Sequence, residues 1–202
     1  MQWSEFQPYV LPYVIGCPYP VMEHHSRLAT IEFCRRTGCL TRTLDAELTS
    51  GTSHTIDLLP DAGTQVLKVK SVQVGGRPWG LVTAEHGMEL ANAGRLDDFA
   101  FASGLTTIEV HPLQAAGVPV VVHAALAPAM ASSTCPDEVS PYLQDIASGV
   151  IASLMLIPAQ PFSDPAHAQV MQSSFLARAA SVASKTARGM SSAKMRSRAT
   201  FL

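Results

Sequence analysis

Apolar residues change period twice along the chain, from helical spacing to alternation and back. Phe6, Tyr9 and Val10 fall at helical spacing ahead of Pro12, with Ser4 placed to cap a short helix. The run Gly16-Cys17-Pro18-Tyr19-Pro20 breaks the pattern. Between Pro20 and Thr37, Val21, Leu28, Ile31 and Cys34 lie near one stripe that Gly38 ends, which predicts an amphipathic helix.

From Thr41 the chain turns to short β-type runs separated by turn residues. Thr55–Leu59 stops at Pro60-Asp61-Ala62-Gly63, and Gln65–Val74 meets a turn at Gly75-Gly76-Arg77-Pro78. Leu81–Thr83, Thr106–His111 and Val118–Leu126 follow. Their spacing predicts an antiparallel sheet or small sandwich rather than βαβ units. Glu85–Ser103 fits neither period and reads as a long loop.

Helical spacing returns after Pro136. Ser140-Pro141 has the capping residue and first-turn proline of a helix start, and Leu143, Ile146, Val150, Leu154 and Ile157 then share a stripe. Pro158 and Pro161 close it. Asp164-Pro165 repeats the start signal for a second stripe of Ala168, Met171, Phe175, Ala179 and Val182. That helix is expected to run to about Arg188, a length of about 36 Å at 1.5 Å per residue. Ala147, Gly149, Ala152 and Ser153 leave room for close helix approach.

These periods predict an α+β fold. Residues 1–40 and 136–189 form a helical bundle, residues 41–135 an inserted antiparallel β domain, and residues 190–202 an extended C-terminal docking tail.

Composition sharpens the picture. The chain has 202 residues, of which 47% are hydrophobic and only 15% charged, with a mean hydropathy of +0.17. An average soluble protein carries roughly 25% charged residues. So lightly charged a chain is not intrinsically disordered and is expected to cover its surface with neighbours. The longest apolar run, Val118–Ala129, is broken by Pro119, His123 and Pro128, so no membrane-spanning helix is expected. Met1-Gln2-Trp3-Ser4-Glu5 lacks a secretory layout. Cys17, Cys34, Cys39 and Cys135 are too unevenly spaced for a disulfide framework, which points to synthesis in a reducing cytoplasm.

Charge is segregated. All 16 acidic residues lie at or before Asp164, with eight of the 14 basic ones, for a balance of about −8. Beyond it come Arg178, Lys185, Arg188, Lys194, Arg196 and Arg198 and no acid, a balance of +6. A basic end implies an acidic partner. The tail finishes Ala199-Thr200-Phe201-Leu202, so Arg188, Lys194, Arg196 and Arg198 would steer it and Phe201 and Leu202 would anchor it on a protein. The aromatic interleaving of a single-strand nucleic-acid binder is missing.

Candidate chemistry is sparse. His24, His25, Cys34 and Cys39 share one segment, but adjacent histidines diverge by about 100° on a helix, and zinc pairs normally sit at fixed short separations. Cys135 precedes a proline and would need His111 or His123 to act as a nucleophile. There is no GxSxG elbow and no P-loop, and Gly75-Gly76 reads as a hairpin turn. Asp97-Asp98 and Asp137-Glu138 are adjacent, loop-placed pairs suited to solvation or capping. No catalytic residue, cofactor or metal is assigned, and a non-enzymatic role is expected; a small Cys/His-dependent enzyme is the competing class.

Gly16-Cys17-Pro18, the helix end Ile31-Glu32-Phe33-Cys34-Arg35-Arg36-Thr37, and Tyr142–Asp164 with Ile146-Ala147-Ser148-Gly149, Leu154, Pro158 and Pro161-Phe162-Ser163-Asp164 follow one another in a telling order. In that order the chain resembles the head-to-tail adaptor (connector) proteins of tailed bacteriophages. Gly38-Cys39-Leu40 departs from the aromatic expected after the helix, and Val150 from a small residue after Gly149. The resemblance implies a helical bundle with an inserted β domain, assembled as a ring of twelve copies beneath the portal protein. It also implies a C-terminal segment that reaches onto the portal, contacts with tail and nozzle proteins, and genomic DNA passing through the channel. A virion location at the head–tail interface, with no membrane contact, follows from it. Another tail-completion or neck protein is the nearest alternative.

Overall fold

The computed structural model describes residues 1–47, 55–93, 98–104, 106–112, 114–115 and 117–188. The fold is mixed α+β, with five α-helices and seven strands among the described residues. The chain divides into two compact units, one of Met1–Cys39 with Ser133–Leu202 and one of Leu40–Ser132.

The first unit carries a 3-10 turn at Trp3–Phe6, α1 (Gln7–Val10), α2 (Tyr19–Thr37), a second 3-10 turn at Asp137–Tyr142, α4 (Leu143–Met155) and α5 (Pro165–Ala187). The first turn is capped by Gln2 rather than Ser4: Glu5 Oε1 accepts the Gln2 backbone N–H at 2.8 Å, closing a capping box. Asp164 caps α5 as expected, its Oδ1 accepting the His167 N–H at 3.0 Å ahead of Pro165 at the first helical position. Ser140 is not a cap, because Pro141 sits within the 3-10 turn and α4 starts two residues later.

Helix α2 presents a different face from the one its apolar residues predict. Leu28 is exposed, and the buried positions are Met22, Ser26, Ala29, Thr30, Phe33, Cys34 and Thr37. The three hydroxyls satisfy themselves on the helix. Ser26, Thr30 and Thr37 donate to the carbonyls of Met22, Ser26 and Phe33 at 2.8, 2.7 and 2.7 Å, so each enters the core with its hydrogen bond made. Gly38 ends the helix in the left-handed region at φ 58°, with its N–H bonded to Cys34 O at 2.8 Å. Helix α4 is buried almost all round, and α2 and α5 both pack against it. The rings of Phe33, Tyr142 and Phe175 meet there, with Phe33 5.4 Å from Tyr142 and 6.0 Å from Phe175 between centroids.

The second unit holds β1 (Thr41–Glu47), β2 (Thr55–Asp57), β3 (Thr64–Val74), β4 (Arg77–Leu81), α3 (Ala84–Asn92), β5 (Phe99–Ala102), β6 (Thr107–His111) and β7 (Pro119–Pro128). The sheet runs β1-β7-β3-β4-β5-β6-β2 and curls until its outer strands β1 and β2 touch. Alternation buries Val72, Val74, Ile108, Val110, Val120 and Val122 on its inner side. The sheet is not wholly antiparallel: β4 and β5 run parallel through Gly80↔Phe99 and Leu81↔Ala100. The crossover that allows this is α3, in the stretch expected to be a loop. Thr83 caps α3 rather than extending a strand, and Gly87 lets the helix lie against the Phe101 ring of β5.

Candidate docking surfaces

The N-terminal segment is pinned from beneath. Trp3, Phe6, Val10 and Val14 are fully buried at spacings of three and four residues. Arg27 of α2 lays its guanidinium 5.7 Å from the Trp3 ring centroid and pairs with Glu23. The same spacing turns Tyr9, Leu11, Tyr13 and Ile15 outward, with Ile15 77% exposed. The result is a fixed apolar ledge, and leaving it in water forfeits roughly 25 cal/mol per Å² of apolar surface. Beside it a cleft of about 290 Å³ opens between Tyr9, Pro12 and Tyr13 and the flanks of α4 and α5, where Gln144, Ser148 and Met171 line it. The Tyr13 ring stacks on His167 at 6.1 Å.

The outer face of α5 is the second surface. Between Asp164 and Arg178 it carries no Asp, Glu, Lys or Arg, and Gln169, Val170, Ser173 and Leu176 point outward. Where α5 meets α2, Leu176, Ala180 and Ala183 line a shallow groove of about 320 Å³ with Arg36 at its rim. Both helices end in cations, Arg35 and Arg36 on α2 and Lys185 and Arg188 on α5, which complement the helix dipoles. Glu32 holds Arg35 and Arg36, and Asp145 stands 3.7 Å from Arg178. Pairs this exposed contribute little to stability.

Of the expected docking residues, Arg188 is exposed at the C-cap of α5. Lys194, Arg196, Arg198, Phe201 and Leu202 lie outside the described residues. The sequence groups Tyr9 with Phe6 and Val10 at helical spacing and does not separate the buried side of this short segment from the exposed one. Pro8 and Pro12, which hold the segment to a single turn of α-helix, were the available signal.

The residues considered for metal binding do not converge. His24 is exposed, while His25 Nδ1 lies 2.9 Å from Ser153 Oγ on α4. Ser153 donates its own hydroxyl proton to Val150 O at 2.8 Å, so His25 Nδ1–H is the donor between them. Burial holds the His25 ring below the ordinary histidine range. Cys34 lies nine residues further along α2, about 14 Å away at the helical rise. Among the described residues no three His, Cys, Asp or Glu side chains gather at a metal-sized site.

The thiols are insulated rather than activated. The left-handed cap at Gly38 turns Cys39 back toward Cys34. A hydrogen bond between their side chains, together with burial, raises the Cys34 thiol well above its ordinary value. Cys135 is pushed up to about 12, chiefly by burial, although the Met1 ammonium donates to its backbone oxygen at 2.9 Å. A nucleophilic cysteine requires the opposite shift. His111 is stacked against Phe99 and Phe101 at 5.1 and 5.8 Å, and His123 lies 3.1 Å from Thr43 Oγ1. Both belong to the β unit, whereas Cys135 belongs to the helical one.

Among the described residues no helix is long and apolar enough to cross a membrane. Neither a protein-family model nor a curated protein matches this chain.

Proposed function

We propose that this chain is a virion structural protein, a head-to-tail adaptor that assembles into a ring, docks on a portal, extends the DNA channel and provides the platform for tail proteins. The observation that carries the reading is the pair of unlike, uncharged surfaces on the helical unit: the apolar ledge from Tyr9 to Ile15 and the mixed outer face of α5. Contact between two different patches of identical subunits is heterologous, and a heterologous contact closes into a ring when its rotation allows. The low overall charge supports the same assembly, since flanks buried by neighbours need few ions.

The division of the chain into Met1–Cys39 with Ser133–Leu202 and Leu40–Ser132 supports a helical bundle with an inserted β domain, the architecture the resemblance implies. The portal contact is assigned to the basic end. Arg188 begins it at the close of α5, Lys194, Arg196 and Arg198 continue it, and Phe201 and Leu202 supply apolar anchors. The role proposed is structural, with no reaction and no cofactor.

Native mass spectrometry of the full chain tests the assembly. A closed ring, with twelve copies expected, supports the adaptor reading. A monomer that stays monomeric at tens of micromolar, alone and with portal rings added, overturns it. Removing residues 190–202 is expected to abolish co-sedimentation with portal rings while leaving the helical unit folded.

A further inference from the structure

The β3–β4 hairpin parts soon after its turn. Strand β3 pairs with β7 along its whole length, from Thr64↔Pro128 to Val74↔Val120. With β4 it pairs only at Val72↔Trp79, Gln73↔Pro78 and Val74↔Arg77, after which β4 turns to β5. Among the described residues no strand lies against the other edge of β3 from Gln65 to Val69. An open slot of about 620 Å³ borders that edge, walled by Leu67, Lys68, Val69 and Lys70 on one side and by Leu81 and Val82 on the other.

An open strand edge is a row of backbone donors and acceptors that templates another strand. Proteins commonly blunt such edges, and bulges between Val66 and Lys68 and between Val69 and Ser71 bend this one, which limits an added strand to a short one. Side chains along the edge alternate in character. Leu67 and Val69 are half-buried toward the unit, whereas Lys68 and Lys70 are exposed. Lys70 donates to Thr41 Oγ1 at 2.6 Å, which leaves Lys68 as the cation at the slot. None of the described residues that wall the slot carries a carboxylate.

We propose that this slot receives a short extended segment of another protein as an added strand on β3, with apolar side chains over Leu67 and Val69 and a carboxylate opposite Lys68. Main-chain hydrogen bonds supply the affinity, and the cross-strand charge pair selects the sequence. The site lies in the β unit and does not depend on the adaptor reading.

The test uses the full chain and a fluorescent seven-residue peptide alternating valine and glutamate, followed by anisotropy. Saturable binding is expected, and methylating every second backbone amide of the peptide should weaken it at least about ten-fold by removing edge hydrogen bonds. Lys68→Glu should weaken it about two- to five-fold and shift preference to a second peptide that alternates valine and lysine. Amide exchange across residues 65–69 should slow when peptide is bound. No saturable binding, equal binding of the methylated peptide or of one with the same residues in blocks, or indifference to Lys68→Glu overturns the proposal.

Discussion

Gly149 of α4 and Phe175 of α5 meet backbone to ring: a Cβ on Gly149 would stand 2.8 Å from the nearest ring carbon of Phe175. The ring is itself buried and bordered by Phe33, with a cleft of about 190 Å³ on another side, so a methyl at Gly149 would have to displace it from its packed position. Gly149→Ala gains up to about 1 kcal/mol of helix propensity, but overpacking costs about 1–3 kcal/mol. The variant is therefore expected to be less stable by about 1–2 kcal/mol. Adding Phe175→Leu should relieve the clash, so that a double-mutant cycle from urea unfolding shows the pair costing less than its two parts.

Acidification should act through His25. Burial lowers its folded value below the ordinary 6.5, so the unfolded chain binds more protons in that range. Stability from this residue is complete at neutral pH, declines as pH falls through about 6.5, and levels off below the lowered folded value. Thermal melts between pH 7 and 5.5 should show the decline in the wild type. His25→Gln, which keeps a donor for Ser153 but cannot titrate, should flatten it.

The thiols should differ in reactivity in the folded protein. Cys17, Cys34 and Cys135 are buried and their thiols are raised, whereas Cys39 is only partly covered. At pH 8 an aromatic disulfide reagent should label Cys39 first and reach the other three only after denaturant is added. Rapid labelling of Cys135 in the native state would contradict the insulation described for it.

Ile15→Glu should separate folding from assembly. The side chain is 77% exposed, so the change should alter stability by no more than about 0.5 kcal/mol. It places a charge at the most exposed position of the ledge, and sedimentation should show smaller assemblies at equal concentration, with an unchanged melting temperature for the subunit.

Long, strongly marked elements were legible in the sequence. Gly38, Asp164-Pro165 and Gly75-Gly76 announced a helix end, a helix start and a hairpin, because each position demands that residue type for a local reason. What depended on distant partners was not legible. The apolar stripe of Val21, Leu28, Ile31 and Cys34 gives no place to Ser26, Thr30 and Thr37, yet their hydroxyls are satisfied by the helix's own carbonyls, so these residues can join the buried face of α2. Helix α3 was hidden because Gly87 looks like a breaker, although its missing side chain is what seats the helix on Phe101. The parallel β4–β5 pair followed from that unseen crossover. Of the docking surfaces, the basic end could be read from charge alone, while the ledge required knowing that Trp3, Phe6, Val10 and Val14 all point inward.

The helical unit is stitched from both ends of the chain, and this constrains the order of events on the ribosome. Helix α2 is made first and must wait for α4 and α5, while the contiguous β unit can close as soon as Ser132 emerges. During that interval Phe33, fully covered in the finished protein, lacks the Tyr142 and Phe175 rings that it packs against. Nascent chains stalled before Leu143 should therefore hold a finished sheet and a sticky, half-made helical unit, the stage of biogenesis at which chaperone capture or premature clumping would strike.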